Sequence, residues 1–346
     1  MHTPGNNIDA WRPCRIGIVG AGAMGMSLTA IVADAAPTML VERDSGRAAA
    51  IFEHGARTIG LLRASSHPIV VSNIGELAKV GGVSVLFVAT KTTAIPTVAE
   101  ELRPILAEIT DQPQGIFVVS FQNGIEPGSQ LVELLRYDRV LRMVINMGAT
   151  VRPTGEVEVL LNSPPHYIGA PDGLWAEECA SIASMLTESG FETIADGQIE
   201  RHVWEKGIVN AAVNPVAALV NSNIGEVMHA PARSIVEALL HEGLTVARAE
   251  GLDLGEDFAA RTFDTLARWG AHTPSMVEDI RNGRESEIRQ LNRQIMRHAQ
   301  RLGIAAPTHA IIDALIETFD WKIYDSDRAP NRRDEKTGEP RVSPAS

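Results

Sequence analysis

The chain has 346 residues, of which 45% are hydrophobic and 21% charged, and its formal net charge is −12. The length exceeds that of a usual single domain, so we expect two domains. The acidic balance disfavours a nucleic-acid partner, because no basic patch is available to displace phosphate counterions. The two cysteines, Cys14 and Cys179, lack metal-ligand spacing and are typical of free thiols in a reducing compartment.

A membrane location is not expected from this sequence. No apolar run approaches the ~20 residues that a bilayer-spanning helix needs. Residues 1–13 are polar and interrupted by prolines, unlike a signal peptide. The sequence therefore predicts a cytoplasmic protein with no membrane partner.

The first predicted element is an apolar strand over 15–19 that ends in a glycine-rich turn, Gly20-x-Gly22-x-x-Gly25, before a helical pattern over 26–35. Gly20 permits a tight turn, Gly22 lets the backbone approach a pyrophosphate, and Gly25 lets helix and strand pack closely. This context predicts a nicotinamide or flavin nucleotide site. Its candidate residues are Gly20, Gly22, Ala23, Met24 and Gly25.

The second predicted strand, over 38–41, ends at an acidic residue. Glu42 stands twenty residues after Gly22. An acid at this distance accepts hydrogen bonds from a ribose 2′-hydroxyl in dinucleotide-binding domains. The position supports the nucleotide site and favours NADH.

Short apolar strands alternate with helical patterns through the first half of the chain. This alternation predicts the α/β class with a doubly wound, mostly parallel Rossmann-type sheet. The predicted strands cover 15–19, 38–41, 69–72, 84–89, 116–120 and 140–145, with further strands at 156–160, 166–169 and 191–195 extending the same sheet. The helices named between them cover 92–109, 128–135 and 174–189.

The pattern changes near residue 197 and is helical from 198 to 324. We therefore predict a dinucleotide-binding domain over 14–197 and an all-α C-terminal domain over 198–324. Tails rich in polar residues and proline, over 1–13 and 325–346, are predicted to be disordered. An active site is expected in the cleft between the two domains.

A polar stripe marks the first helix of the predicted second domain. Lys206, Asn210 and Asn214 are spaced four residues apart, so they share one helix face. An ammonium beside two amides suits a ketone and its neighbouring hydroxyl, with the lysine supplying a proton. A solvated stripe on an amphipathic helix is the alternative interpretation.

Further motifs complete a pattern that resembles the ketopantoate reductase (2-dehydropantoate 2-reductase) family. The resemblance extends from Gly20 to about Pro307 and covers most of the predicted folded chain. Besides the glycine-rich turn, its motifs are Ala89-Thr90-Lys91, Gln122-Asn123-Gly124, Trp204-x-Lys206-x-x-x-Asn210-x-x-x-Asn214-Pro215, Ser275-Met276-x-x-Asp279 and Gly283-Arg284-x-x-Glu287-Ile288. The lysine-asparagine helix with the later Ser-Met pair and Glu is far more specific than the glycines.

The resemblance implies reduction of the C2 ketone of a 2-keto acid, ketopantoate or a close analogue, by NAD(P)H. Lys206 would be the catalytic acid/base, and Glu287 would orient the lysine or the substrate hydroxyl. Ser275 would bind the substrate carboxylate, unless it only caps a helix. The alternative interpretation of Glu287 is that it is only a surface carboxylate. The polar end of the substrate would be held by Asn123, Asn210 and Asn214.

The resemblance also bears on the cofactor. Arg43 matches a family arginine that follows the second strand and pairs a 2′-phosphate, which favours NADPH. Lys91 and Asn123 would lie near the cofactor. Because Glu42 would repel a phosphate unless Arg43 screens it, NADH stays open, and we expect NADPH.

The chain departs from the family pattern at four places. His272 stands near a usual Asn, Pro274 replaces a usual Ser, and Arg289 replaces an acidic or amide residue. Thr308-His309 stands where the family tends to show an Asn. These departures leave the chemistry intact and make a 2-keto acid other than ketopantoate an alternative substrate.

Two other functions compete with this interpretation. A dehydrogenase of the 3-hydroxyacid or 6-phosphogluconate type shares the glycine-rich start, but Asn210, Asn214 and Pro215 fit it less well. A non-catalytic nucleotide-binding redox sensor is disfavoured by the polar stripe. No metal is expected, since the sequence has no His-Glu-x-x-His motif and no Cys/His cluster. The sequence leaves the oligomeric state open, a homodimer included.

Overall fold

The computed structural model describes residues 13–110, 115–268 and 270–328, with side chains as far as 323. These residues form two compact units that divide between Gly207 and Ile208. Within them, no helix is both long enough and apolar enough to cross a membrane.

The strands of the described residues all belong to the first unit. They are β1 (Ile16–Val19), β2 (Thr38–Val41), β3 (Ala56–Gly60), β4 (Ala64–Ser66), β5 (Ile69–Val71), β6 (Val85–Val88), β7 (Phe117–Ser120), β8 (Val140–Val144), β9 (Met147–Val151), β10 (Val157–Asn162), β11 (His166–Gly169) and β12 (Thr193–Ala195). Its helices are α1 (Ala23–Val32), α2 (Ser45–His54), α3 (Glu76–Lys79), α4 (Ile95–Leu102), α5 (Pro127–Leu135) and α6 (Ala176–Glu188).

The main sheet has the order β12-β11-β8-β7-β6-β1-β2-β5. Among the pairs in this sheet, β8 and β11 are antiparallel and the others are parallel. The predicted doubly wound, mostly parallel sheet is thereby confirmed. The order reverses at β1, which lies between β2 and β6, and such a reversal is where open α/β sheets bind their ligands.

Alternation along the central strands explains how this sheet is buried on both faces. Ile16 and Ile18 of β1 pack in the core that contains α1, whereas Val19 packs in the opposite core with α4 and α5. Successive strand side chains point to opposite faces, so a strand covered on both sides has to be apolar throughout. The fully buried and almost wholly apolar runs of β1, β6 and β7 are therefore those of central parallel strands.

The carboxyl ends of four central strands meet at one edge of the main sheet. Val19 pairs with Val41 and with Val88, and Val88 pairs with Ser120. The residues directly after β1, β2, β6 and β7 therefore lie side by side along this edge. The nucleotide motif and the Asn123 loop both begin there.

A second sheet, in the order β4-β3-β10-β9, corrects one prediction. The strand predicted at 156–160 exists as β10, but it pairs with β3 and β9 and does not extend the main sheet. The strands β3, β4 and β9 were absent from the prediction. Because periodicity identifies a strand but not its partner, the second sheet could not be predicted from the sequence.

The helix α7 (Ile199–Val220) begins in the first unit and ends in the second. Its first turns belong to the first unit because Ile199 and Val203 pack with Val144 of the main sheet. The compact units consequently divide ten residues after the predicted boundary at 197.

The remainder of the second unit is helical in the described residues, as the sequence predicted. Its further helices are α8 (Ile224–His229), α9 (Arg233–Ala249), α10 (Phe258–Arg268), α11 (Ser275–Arg281), α12 (Asn292–Leu302) and α13 (Pro307–Arg328). Since α13 continues to Arg328, residues 325–328 are helical, which corrects the start of the predicted C-terminal tail. The other tail residues, 1–12 and 329–346, lie outside the described residues.

Candidate dinucleotide and lysine site

The glycine-rich turn has the backbone that a dinucleotide site requires. Gly20 has a φ of +101°, a conformation that favours glycine. A Cβ on Gly25 would overlap the carbonyl oxygen of Gly20, so only glycine lets α1 approach β1 this closely. A Cβ on Gly22 would have no heavy atom within 4 Å, which leaves open space beside the turn.

The start of α1 faces that open space without a side-chain cap. Gly22 is the N-cap residue and supplies no side-chain hydrogen bond, and the first turn contains no acidic residue. Ala23 and Met24 are half-buried in this first turn. A helix N-terminus left uncapped in this way is suited to an anion such as a pyrophosphate. The residues present therefore fit a dinucleotide.

The predicted ribose residue, Glu42, is held in place by an arginine that the sequence analysis missed. Glu42 is buried, accepts a hydrogen bond from the backbone N–H of Asp44 at 2.9 Å, and pairs with Arg47 at 2.9 Å. Arg47 also donates to the carbonyl oxygen of Ala21 in the glycine-rich turn. Arg47 thus ties the end of β2 to the turn and offsets the charge of Glu42. Its sequence signal is a basic residue in the first turn of the helix after β2.

Arg43, the predicted partner of a 2′-phosphate, points to a different neighbour. Its guanidinium pairs with Glu101 of α4 at 2.7 Å, and its side chain is about half exposed (52%). Lys91 is also exposed and directly precedes a short 3₁₀ turn after β6. Arg43 follows β2 and Lys91 follows β6. Both therefore lie at the edge of the main sheet where the carboxyl ends of the strands meet, called the ligand edge, and their charges are near the predicted nucleotide site.

The structure brings two predicted site residues from distant segments into contact. The Lys206 Nζ atom donates to Oδ1 of Asn123 at 2.9 Å and also to the carbonyl oxygen of Ile145. Lys206 and Asn123 are 83 residues apart in the chain. Both are half-buried. The ammonium is therefore held by two oxygens at the carboxyl-terminal end of the sheet.

The loop that carries Asn123 is tied to its neighbour in the sheet. Gln122 accepts from Ser120 Oγ at 3.1 Å, and its amide nitrogen donates to Thr90 Oγ1 at 3.3 Å. Thr90 belongs to the predicted Ala89-Thr90-Lys91 motif. The motifs that follow β6 and β7 are therefore joined side by side.

A buried histidine supports the second acceptor of Lys206. His166 is 1% exposed, and its Nδ1 accepts the backbone N–H of Asn146, the residue after Ile145, at 3.0 Å. Burial, together with the nearby charge of Lys206, lowers the pKa of His166 to about 3. The imidazole therefore stays neutral around pH 7 and keeps Nδ1 as an acceptor. Sequence reasoning had not selected His166.

Asn210 and Asn214 follow Lys206 on α7 at the predicted helical spacing, and both are half-buried. Their flank is apolar, since Ile208 and Val213 are buried. The stripe is thus not a fully solvated face. Its substrate contacts stay a prediction.

Ser275 and Glu287 belong to the second unit. Ser275 is exposed and is the first residue of α11, whereas Pro274 occupies the N-cap position. Ser275 is therefore not a cap, and that alternative is removed. Glu287 is half-buried before a 3₁₀ turn over Ile288–Gln290. Their proposed roles toward substrate stay predictions.

The departures from the family pattern have described contacts within the second unit, and the Pro274 carbonyl, for example, accepts the backbone N–H of Val277 at 3.1 Å. His309 is fully buried, where Asn292 donates to its Nδ1 at 3.0 Å and its Nε2 donates to the Leu239 carbonyl at 3.1 Å. Burial lowers the pKa of His309 to about 4, which keeps it neutral in this core. The carbonyl of His272 accepts the backbone N–H of Ile224 at 3.0 Å. Arg289 pairs with Glu317 at 2.7 Å.

Comparisons with known proteins point to one family. The family model described as ketopantoate reductase PanE/ApbA matches residues 16–173, and the model of its C-terminal domain matches residues 198–319. A 2-dehydropantoate 2-reductase of Archaeoglobus fulgidus is 28% identical over 292 residues, which are 84% of this chain and 92% of that protein.

Solved structures agree on the fold. A PanE/ApbA family ketopantoate reductase from Ralstonia eutropha has a TM-score of 0.78 at 24% identity, covering 90% of this chain and 99% of that one. A D-mandelate dehydrogenase, solved with NADH and anilino(oxo)acetate, has a TM-score of 0.77 at 20% identity with the same coverage, 90% and 99%. At these identities the likeness concerns the fold alone.

Proposed function

Because the chain belongs to the ketopantoate reductase family, we propose that it reduces the C2 ketone of a 2-keto acid with Lys206 as the proton donor. Family membership makes the protein an NAD(P)-dependent oxidoreductase and displaces both the 6-phosphogluconate-type and the redox-sensor alternatives. The observation that carries the lysine role is the hydrogen bond of Lys206 to Asn123 at the ligand edge of the sheet.

The dinucleotide is proposed to bind at the glycine-rich turn, with its pyrophosphate on the backbone N–H groups of Gly22, Ala23 and Met24. The open space beside Gly22 and the uncapped start of α1 support this placement. When bound, the reduced nicotinamide supplies a hydride to the C2 carbon. Lys91 and Asn123 are proposed to contact the cofactor from the loops after β6 and β7.

Lys206 is proposed to protonate the substrate oxygen as it becomes an alkoxide. Its positive charge favours the developing negative charge in a half-buried site, where water screens it less. The acceptors on Asn123 and Ile145 favour the ammonium form, so a proton is available at Nζ. The Asn123 side chain accepts from Lys206 through Oδ1, and its amide nitrogen Nδ2 is proposed to donate to substrate.

The remaining site residues are assigned by the family motif. Asn210 and Asn214 are proposed to hold the polar end of the substrate, because they share the helix face of Lys206. Ser275 is proposed to bind the carboxylate. Glu287 is proposed to orient the lysine or the reacting hydroxyl.

NADPH is the proposed cofactor, with Arg43 as the reader of the 2′-phosphate. Arg47 supports this choice because it offsets the charge of Glu42, which would otherwise repel a phosphate. NADH is the second candidate, favoured by Glu42 at the ribose position and by the NADH bound to the D-mandelate dehydrogenase of similar fold. Steady-state kinetics with each cofactor decide between them by the ratio of kcat/KM.

The substrate is tested by following NADPH and NADH absorbance with ketopantoate, 2-ketoisovalerate and benzoylformate. Ketopantoate is the expected substrate of a family member. An aromatic 2-keto acid is the second candidate, favoured by His272 and Pro274 in place of the usual residues. Preference for benzoylformate would assign those two positions to specificity, and no oxidation with any 2-keto acid would refute the proposed activity. A cytoplasmic location and a homodimer stay predictions from the sequence.

A further inference from the structure

A buried arginine lies within the main sheet. Arg142 of β8 is only 2% exposed, and a cation at such a place has to be paired and hydrogen-bonded. Its Nη1 donates to the carbonyl oxygen of Ile125 at 2.6 Å and to the Glu200 carboxylate at 3.1 Å. Its Nη2 donates to the carbonyl oxygen of Gly124 at 3.2 Å. Burial lowers the pKa of Arg142, and the charges of Glu200 and Glu126 oppose that shift.

The partners of Arg142 belong to the two segments that bring Lys206 and Asn123 together. Gly124 directly follows Asn123 in the loop after β7. Glu200 lies in the first turn of α7, on the same helix as Lys206. The two helix residues are only about 9 Å apart along the axis, at a rise of ~1.5 Å per residue. A contact that fixes Glu200 therefore also fixes the position of Lys206 along the axis of α7.

We propose that Arg142 is a positioning residue for Lys206. It holds the Asn123 loop and the start of α7 at the separation that places the Lys206 Nζ atom 2.9 Å from Asn123 Oδ1. This role rests on the proposed function, in which Lys206 donates the proton. Proton transfer requires the donor within hydrogen-bond reach of the acceptor, and a misplacement of ~1 Å costs up to about 10²-fold in rate.

Gly128 offers a way to displace Arg142 without changing any charge. A Cβ on this glycine would lie 2.5 Å from the Cγ and Cδ atoms of Arg142, so the arginine side chain would have to move. Gly128 lies in α5, where alanine suits the helical backbone better than glycine. The contacts of Arg142 with the Asn123 loop on one side and with Glu200 on the other form a bridge. Glu200→Gln weakens the Glu200 contact of this bridge and keeps the Arg142 side chain. These two variants approach the same bridge from opposite sides.

The experiment uses Gly128→Ala, Glu200→Gln and Arg142→Met in the full chain. Arg201→Met is the matched control, since it removes the Arg201–Glu205 surface ion pair (3.4 Å) from the same helix. For each protein, kcat, KM and the pH profile of kcat are measured with the best substrate of the 2-keto acid panel. Cofactor Kd and urea unfolding are measured in parallel.

We expect kcat to fall about tenfold in Gly128→Ala and Glu200→Gln and on the order of 10²-fold in Arg142→Met. Cofactor Kd should change far less than kcat, because the glycine-rich turn proposed to hold the pyrophosphate makes no contact with Arg142 among the described hydrogen bonds. The alkaline limb of the kcat profile should move to lower pH in Gly128→Ala and Glu200→Gln. The reason is that Lys206 loses the acceptor that favours its charged form. Arg201→Met should behave as the unchanged chain.

Unchanged kcat and an unchanged alkaline limb in either Gly128→Ala or Glu200→Gln would overturn the positioning role, even if both variants are less stable. A fall in kcat no larger than that of Arg201→Met would do the same. If Arg142→Met does not fold, the other two variants decide between the outcomes. The variant Lys206→Ala distinguishes failure of the proton-donor role of Lys206 from failure of the positioning role of Arg142. Near-normal turnover in Lys206→Ala refutes proton donation by Lys206, whereas an inactive Lys206→Ala beside unaffected bridge variants refutes the positioning role alone.

Discussion

Replacement of Lys206 by alanine is the most direct test of the proposed chemistry. Loss of a general acid costs about 10²- to 10⁴-fold in rate. The ammonium donates hydrogen bonds to Asn123 and to the Ile145 carbonyl, which lie outside the glycine-rich turn. We therefore expect kcat to fall at least ~10²-fold, or about 2.7 kcal/mol in activation free energy. The Kd for NADPH alone should stay unchanged.

The assay follows NADPH oxidation at saturating substrate, with cofactor Kd measured by fluorescence titration and folding checked by urea unfolding. Lys206→Arg is the matched control for charge, because its guanidinium keeps the positive charge but does not give up a proton. It should be nearly as inactive as Lys206→Ala. Asn123→Ala should raise the activation free energy by about 1.5–3 kcal/mol, the value of one hydrogen bond to a charged group. Near-normal turnover in Lys206→Ala, or full activity in Lys206→Arg, would remove proton donation by Lys206 from the mechanism.

Three further predictions address the cofactor, the second unit and pH. Arg43→Ala should weaken NADPH binding by roughly 1.5–3 kcal/mol and leave NADH nearly unaffected, and equal losses would show that Arg43 does not read the 2′-phosphate. Ser275→Ala should cost about 1.5–3 kcal/mol in kcat/KM, and Glu287→Ala should lower turnover further. An altered cofactor Kd in either variant would contradict a substrate role. Burial opposes protonation of His202, but its carboxylate neighbours Glu205 and Asp196 raise its pKa overall. The free energy of unfolding should therefore contain a contribution that is fully present below pH ~6.5 and is lost as pH rises through the higher folded-state pKa. Urea unfolding across that range should show this loss in the unchanged chain and not in His202→Gln, and the same pH dependence in both would refute it.

Local pattern was sufficient wherever a short segment determines its own structure. The strands at 38–41 and 166–169 have the predicted bounds, because apolar runs between turn residues leave few alternatives. The glycine-rich turn was equally predictable, since a positive φ at Gly20 and the close approach at Gly25 admit no side chain. The spacing of Lys206, Asn210 and Asn214 fixed a shared helix face once the segment was helical.

Pairing between distant segments could not be predicted in the same way. The strand at 156–160 was recognised but assigned to the wrong sheet, because its side-chain alternation is the same beside any partner. Arg142 is recognisable in the sequence as a charged residue within the otherwise apolar run Val140–Val144. Nothing in the sequence indicated that Glu200 and the Gly124 carbonyl would surround it.

The sequence by itself determined the nucleotide turn, the helical face of Lys206 and the family. Each depends on residues within a few positions of one another, where sterics and helical periodicity act directly. Only the tertiary structure decided that Lys206 contacts Asn123, that Arg47 holds Glu42 to the glycine-rich turn, and that Arg43 pairs with Glu101. Those contacts follow from the order of strands in the sheet. That order is set by how whole elements pack their apolar faces, and local pattern does not contain it.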